Sequence, residues 1–180
     1  MLDDSGTPTP VDAGLRCEIA SLLPDMRAFA RFLARDAAAA DDLVQDTVVR
    51  ALAALDQFTP GTNLRAWLFR IERNAFYEGL RRRRRENAVL HDGAVDEAPR
   101  IPEQLARSEV LDLQQLIWTL SPLLREALIL IAVQELTYEE AATICGVPVG
   151  TMKARLSRAR SALARNTHEA SERKIDRIPR

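Results

Sequence analysis

The sequence has little from which to build a redox, metal or secreted scaffold. Its two cysteines, Cys17 and Cys145, stand far apart in 180 residues and are set in apolar patterns. They form no disulfide framework and point to a reducing cytoplasm. Only His91 and His168 accompany them, so no Cys/His metal cluster is expected. No apolar run approaches the ~20 residues that a membrane-spanning helix needs. Met1 to Gly14 is acidic and polar, without the basic start and apolar stretch of a signal peptide. Strand signals are missing too: there is no sustained period-two alternation, and no Asn-Gly or Asp-Gly hairpin between β-branched runs. No Ser/His/Asp set, phosphate loop or cluster of metal carboxylates can be assembled. An enzyme is therefore the least favoured class, and no cofactor or metal is expected.

What is present is charge, arranged in blocks. The net charge of −1 is a cancellation. Residues 1–60 carry ten acids and five bases, and residues 61–87 eight bases and three acids. Residues 88–150 carry ten acids and three bases, and residues 151–180 nine bases and three acids. Two basic stretches in an otherwise acidic chain mark two places where a polyanion could be held. Two solvated basic helices would give the same counts.

Helical periodicity runs almost throughout. A short helix over Leu15–Leu22 ends before Pro24, which opens the next, to about Ala34, with Met26, Phe29, Phe32 and Leu33 along one side. Asp36 caps a third helix to about Leu55. Thr59-Pro-Gly-Thr is a turn cluster, and Asn63 is the N-cap of a fourth helix, Leu64 to about Arg85. Periodicity then disappears until about Leu105, and Gly93, Pro99 and Pro102 mark residues 86–104 as a linker. Helices follow over Leu105–Leu120, Pro122 to about Gln134, Tyr138–Cys145 with a Thr137/Glu140 capping box, and about Val149–Ala164. The fold expected is all-α: a disordered N-terminus (1–14), a helical domain (15–85), a flexible linker (86–104), a second helical domain (105–166) and a charged tail (167–180).

Thr137 through Ala164 has helix-turn-helix grammar: a short capped helix, a turn carrying Gly146, and a longer basic helix. Ala141 and Ala142 are small where two helices must approach, and Gly146 can take the left-handed turn conformation. On a helical wheel Met152, Leu156, Ala159 and Leu163 face inward. Gly150, Ala154, Ser157, Arg158, Ser161 and Arg165 lie opposite, with Thr151, Lys153 and Arg155 on the flanks. Long cationic side chains reach guanine edges or phosphates, and small residues admit the groove. The other basic helix differs in kind. Trp67, Phe69, Phe76 and Tyr77 interleave with Arg65, Arg70 and Arg73, which suits stacked bases and held phosphates of a single strand. Most of Trp67, Leu68, Ile71 and Phe76 are nevertheless expected to pack in the core. Arg81 to Arg85 form a solvated helix end favoured by the negative C-terminal dipole. A duplex reader joined to a single-strand binder fits a protein that locates a duplex and then opens it.

These residues resemble the extracytoplasmic-function branch of the sigma-70 family, bacterial initiation factors that retain only domains two and four. Asp41-Asp-Leu-Val-Gln-Asp-Thr-Val-Val-Arg-Ala-Leu is similar to the region 2.2 helix. Phe58 through Tyr77 is similar to regions 2.3–2.4, and Tyr138 through Arg160 to region 4.2. The Pro-Gly-Thr-Asn-Leu turn and the Ile-Cys-Gly before the last helix most resemble the general-stress-response subgroup.

The resemblance implies partners and site residues. The partners are core RNA polymerase (its β′ clamp helices and β flap), promoter DNA and an anti-sigma factor; no membrane is implied. Asp42, Leu43, Gln45, Asp46 and Val49 would dock on the clamp. Phe58, Asn63, Arg70, Asn74 and Arg81 would serve the −10 element, where a base is flipped out. Thr151, Lys153, Ala154, Arg155, Ser157 and Arg158 would serve the −35 element. Glu72 and Glu78 would repel DNA and are expected to face away from it. Ala154 and Ser157 leave little direct base readout, so DNA shape contributes. The alternative within the same fold is a sigma-like decoy that binds a regulator without initiating transcription. A stand-alone repressor explains only residues 137–164.

Overall fold

The structure is a computed structural model that describes residues 10–90 and 109–175, with side chains from 13 to 86 and from 113 to 167. Among the described residues every regular element is a helix. The first unit holds α1 (Pro10–Ser21), α2 (Leu23–Ala34), α3 (Ala37–Ala53), a 3-10 turn (Leu55–Gln57) and α4 (Leu64–Leu90). The second holds α5 (Glu109–Trp118), α6 (Pro122–Leu128), a π turn (Ile129–Val133), α7 (Tyr138–Cys145) and α8 (Val149–Ile175).

Local signals set most of the helix starts. The Asp36 carboxylate accepts the Ala39 N–H at 2.9 Å and so caps α3. The Asn63 side-chain oxygen accepts the Ala66 N–H at 3.1 Å at the start of α4. At α7 the Thr137 hydroxyl accepts the Glu140 N–H at 3.2 Å, and Glu140 accepts the Thr137 N–H at 2.8 Å. Gly146 ends α7 at φ +64°, a conformation that costs a β-carbon-bearing residue more than glycine.

Three helix ends differ from expectation. α1 begins at Pro10 rather than Leu15, α4 runs to Leu90 rather than Arg85, and α8 runs to Ile175 rather than Ala164. In α4 and α8 the apolar stripe stops but no helix breaker follows at once. Glu86 to Leu90 and Asn166 to Ile175 contain neither Gly nor Pro, so the helix continues where a linker and a charged tail were expected. The expected disorder of residues 1–9, the linker from 91 to 104, and the tail beyond 175 lie outside the described residues.

The stretch expected to be one helix from Pro122 to Gln134 changes register. The Gln134 N–H reaches back five residues to the Ile129 carbonyl at 2.9 Å, a π turn. Gln134 is carried inward by it and is 2% exposed.

α2, α3 and α4 pack together around Met26, Phe29, Val44 and Leu68, with the Phe29 and Phe69 rings 5.0 Å apart. In the second unit α6 and α7 both pack on α8, whose Met152, Leu156 and Ala159 are buried as the wheel predicts. The two units are docked: α7 lies along α4, and α6 touches α2.

Candidate nucleic-acid and polymerase interfaces

α3 turns Ala40, Leu43, Val44, Thr47 and Ala51 into the first core and leaves Asp42, Gln45, Asp46 and Val49 outside. Val49 is 66% exposed, a large apolar side chain with water on most of it. Asp46 accepts from Arg50 Nε at 3.0 Å, and Arg50 Nη1 donates to Glu78 of α4 at 2.6 Å. Glu78 foremost, then Asp46, raises the Arg50 pKa. Leu43 departs from expectation: it is 9% exposed in the core, because the α3 wheel places it beside Val44 and Thr47. It lies beneath the exposed face of α3.

On α4, Arg70, Asn74 and Arg81 are exposed and fall within about 40° of one another around the axis. Asn63, exposed at the head of the helix, extends this strip. Phe58 does not belong to it. It is 7% exposed, with its ring 5.4 Å from that of Trp67, so it shapes the turn and offers no face to a base. Of the two acids inside the basic helix, Glu72 faces away from the strip as expected; Glu78 does not, because four residues on from Asn74 it lies only about 40° around the axis from it. Glu78 is exposed on the ion pair to Arg50, and Glu72 is 0% exposed with neither carboxylate oxygen hydrogen-bonded. Burial pushes the Glu72 carboxyl up to about 9.

On α8, Lys153, Ser157 and Arg158 are exposed side by side. Arg158 Nε is 3.3 Å from the Ala154 carbonyl oxygen to which it donates, and the Lys153 ammonium sits 5.4 Å from the centre of the Tyr138 ring. Thr151 and Ala154 are half-buried at the edge of the face. Arg155 is the exception: it is half-buried and its Nη1 is fully enclosed. Its charge is felt by Tyr77 of α4 and by Cys145, so it lies toward the first unit and away from the open face.

Sequence reasoning missed the residues that join the units. Arg73 Nε donates to the Glu126 carboxylate at 2.6 Å, with Glu126's side chain wholly buried and Arg73's 17% exposed. Burial works against the Arg73 charge, but Glu126 outweighs it and the pKa is raised. Arg65 donates to Gln134 Oε1 at 2.5 Å and pairs with Asp25 at 3.2 Å. Asn63 Nδ2 donates to Glu140 Oε1 at 2.5 Å. The backbone bond from Thr137 is the largest cause that holds the Glu140 carboxyl low, and Asn63 adds to it. Cys145, behind this seam, is a buried thiol pushed up to about 12 by burial first and by Glu126 second. At a second seam the guanidinium groups of Arg125 and Arg35 both lie against Trp118, 3.8 and 5.0 Å from the centre of its ring. Burial, then Arg35, lowers the Arg125 pKa to about 10. Between α4 and α7 a cleft of about 420 Å³ remains, lined by Asn63, Trp67 and Arg70 on one side and Glu139 and Glu140 on the other.

Among the described residues no helix is long and apolar enough to cross a membrane. Two known family regions match the chain in order. Sigma-70 region 2 covers residues 19–86, and Sigma-70, region 4 covers residues 111–163. The ECF RNA polymerase sigma factor EcfG of Rhodopseudomonas palustris (strain TIE-1) is 44% identical over 155 residues, 86% of each chain. The ECF sigma factor SigC of Mycobacterium tuberculosis is 35% identical over 141 residues, 77% of this chain and 75% of the relative. Among solved structures, the sigma factor RpoE in complex with the anti-sigma factor NepR from Bartonella quintana superposes with a TM-score of 0.72 at 41% identity. That match covers 83% of this chain and 94% of RpoE. CnrH in complex with the cytosolic domain of CnrY gives 0.63 at 27% identity, over 88% and 92% of the two chains.

Proposed function

The chain belongs to the extracytoplasmic-function branch of the sigma-70 family, and from that premise we propose how its two units divide the work of starting transcription. It is an alternative sigma factor that directs promoter-specific initiation by RNA polymerase and is held inactive by an anti-sigma factor. The observation that carries this is the presence of both sigma regions, in order, in one chain. The regulated genes are those of a stress response, in keeping with the likeness to EcfG and RpoE. The protein acts in the cytoplasm as a DNA-binding initiation factor and not as an enzyme.

The first unit docks on the polymerase clamp through Asp42, Gln45, Asp46 and Val49. An apolar Val49 that shares its helix face with Asp42 and Asp46 suits a contact part hydrophobic and part electrostatic. Asn63, Arg70, Asn74 and Arg81 receive the −10 strand. The Asn74 amide can donate to and accept from the edge of an extruded base, and the arginines hold phosphate. Lys153, Ser157 and Arg158 enter the major groove at the −35 element, Thr151 and Ala154 flank them, and Arg155 contributes only if the seam beside Tyr77 loosens. The likeness of the chain to the sigma factors RpoE and CnrH, each solved with its anti-sigma partner, supports a comparable partner here.

Run-off transcription tests the whole reading. Purified chain and sigma-free core polymerase are supplied with promoter fragments from the source genome. Transcripts that depend on the chain are expected. No such transcript together with no binding to the core would leave the decoy as the better description.

A further inference from the structure

The strip of α4 assigned to the −10 strand contains a carboxylate, Glu78, and an arginine of α3 is bonded to it. We propose that Arg50 is a positioning residue for promoter DNA: it neutralises Glu78 and holds that carboxylate off the −10 strand, so that Asn74 and Arg81 can receive base and phosphate. The proposal rests on the assignment of the −10 strand to α4 made above.

Glu78 stands four residues beyond Asn74 and three before Arg81. Side chains at those spacings are neighbours on a helix, with β-carbons about 5–6 Å apart. All three are exposed, so a strand seated on Asn74 and Arg81 passes Glu78 as well. A bare carboxylate there would act against binding twice. It would repel the phosphates, and it would draw the Arg81 guanidinium back onto the helix surface. Arg50 Nη1 donates to Glu78 Oε2 at 2.6 Å, and this bond is the largest cause that holds the Glu78 carboxyl low, with the charge of Arg81 a smaller one. Glu78 is therefore ionised at neutral pH, and a cation is needed to cancel it.

The position of Arg50 suits this part. It belongs to the last turn of α3, so it reaches Glu78 without taking a place on α4. Its Nε donates to Asp46 one turn back at 3.0 Å. The guanidinium fork is planar and rigid, so that bond also fixes the direction in which Nη1 points. Asp46 is itself assigned to the clamp-docking face, and the polymerase and promoter faces thus share one cation. The Arg50 and Glu78 side chains are 43% and 55% exposed, and ion pairs so open to water add little to a fold. The effect of the pair falls instead on the charge that DNA meets. One uncancelled charge about 7 Å from a phosphate, in water, weakens binding about threefold at low salt, and screening reduces this as salt is raised.

The test uses holoenzyme assembled with core polymerase at saturation, so that a change in core affinity transmitted through Asp46 drops out. Fluorescence anisotropy reads binding of a labelled single strand that carries the −10 element of a promoter found by run-off transcription. Arg50→Ala should weaken binding about threefold at low salt, and the loss should shrink as salt is raised. Adding Glu78→Gln to Arg50→Ala should restore the parent's affinity, a rescue that a merely structural role for Arg50 would not give. Undiminished binding in Arg50→Ala, where Arg70→Ala still weakens it, would overturn the proposal and leave the −10 assignment standing. A loss that Glu78→Gln does not restore would also overturn it, by making Arg50 a strand contact or a support of the fold in its own right. Indifference of the strand to both Arg70→Ala and Asn74→Ala would overturn the −10 assignment and the proposal with it. Arg50→Gln, which keeps much of the side chain without the charge, should show the same loss and the same rescue, and it keeps the test decisive should the alanine variant misfold.

Discussion

Replacing Glu72 by Gln should stabilise the protein at neutral pH. Glu72 lies two residues and about 200° around α4 from Arg70, on the side packed into the first core. Its side chain is enclosed without a hydrogen-bond partner, and burial alone pushes its carboxyl from 4.5 to about 9. The folded chain therefore keeps the proton up to about pH 9, whereas the unfolded chain releases it near 4.5. Between those values unfolding liberates a proton, so stability must fall as pH rises. At pH 7 the loss relative to pH 4.5 is about 3 kcal/mol, and it grows further toward pH 9. Gln keeps the shape and cannot ionise. Its buried amide still lacks partners, at a cost of about 1–3 kcal/mol, so near pH 5 the variant should equal the parent or fall below it. By neutral pH it should have overtaken it. Chemical denaturation of both proteins at pH 5, 6, 7, 8 and 9 gives the two curves directly. Parallel curves, with no narrowing from pH 5 to pH 8, would mean that Glu72 ionises in the folded state and that this reading of its burial is wrong.

Four further outcomes are expected. Arg158→Ala should weaken binding to specific −35 duplexes by ~1–3 kcal/mol if it reads a base; equal loss on every duplex in an anisotropy titration would reduce it to a phosphate contact. Asn74→Ala should leave closed-complex formation intact and slow promoter opening, seen with a fluorescent base in the −10 element; unchanged opening would remove the base-flipping role. Asp46→Ala breaks an exposed ion pair worth less than about 1 kcal/mol to the fold, yet should lower affinity for core polymerase in a pull-down or titration. Undiminished core binding would return Asp46 to being Arg50's surface partner. Gly146→Ala places a β-carbon at φ +64° and should cost about 1–2 kcal/mol of unfolding free energy; no loss would show that the turn adjusts freely.

The elements most legible in the sequence were those fixed by short-range chemistry. The Asp36 cap, the Thr137/Glu140 box, Gly146 and the inward stripe of α8 each depend on residues within a turn or two of one another, and the structure has all four. The site residues were less evenly legible. A helical wheel separates Arg70, Asn74 and Arg81 from the core, but it cannot tell a docking residue from the core residue beside it. Leu43 and Phe58 were therefore expected at surfaces and are buried. Arg155 could not be placed because its neighbour is Tyr77, from the other unit. The π turn leaves no mark at all, since Ile129 to Val133 reads equally well as α-helix.

The charge blocks show the same boundary more sharply. Their alternation was visible, and two basic stretches were read as two sites for a polyanion. The structure assigns the acids of the third block a part in that account. Glu126, Glu139 and Glu140 stand against the second block's α4, where opposite charge finds opposite charge within one chain. Nothing in the counts dictates this, because pairing depends on how Arg65, Arg73 and Tyr77 drift around α4 as it passes α7. The near-zero net charge is a matter of composition, but the Arg73–Glu126 pair makes part of that cancellation face to face, across the seam between α4 and the second unit.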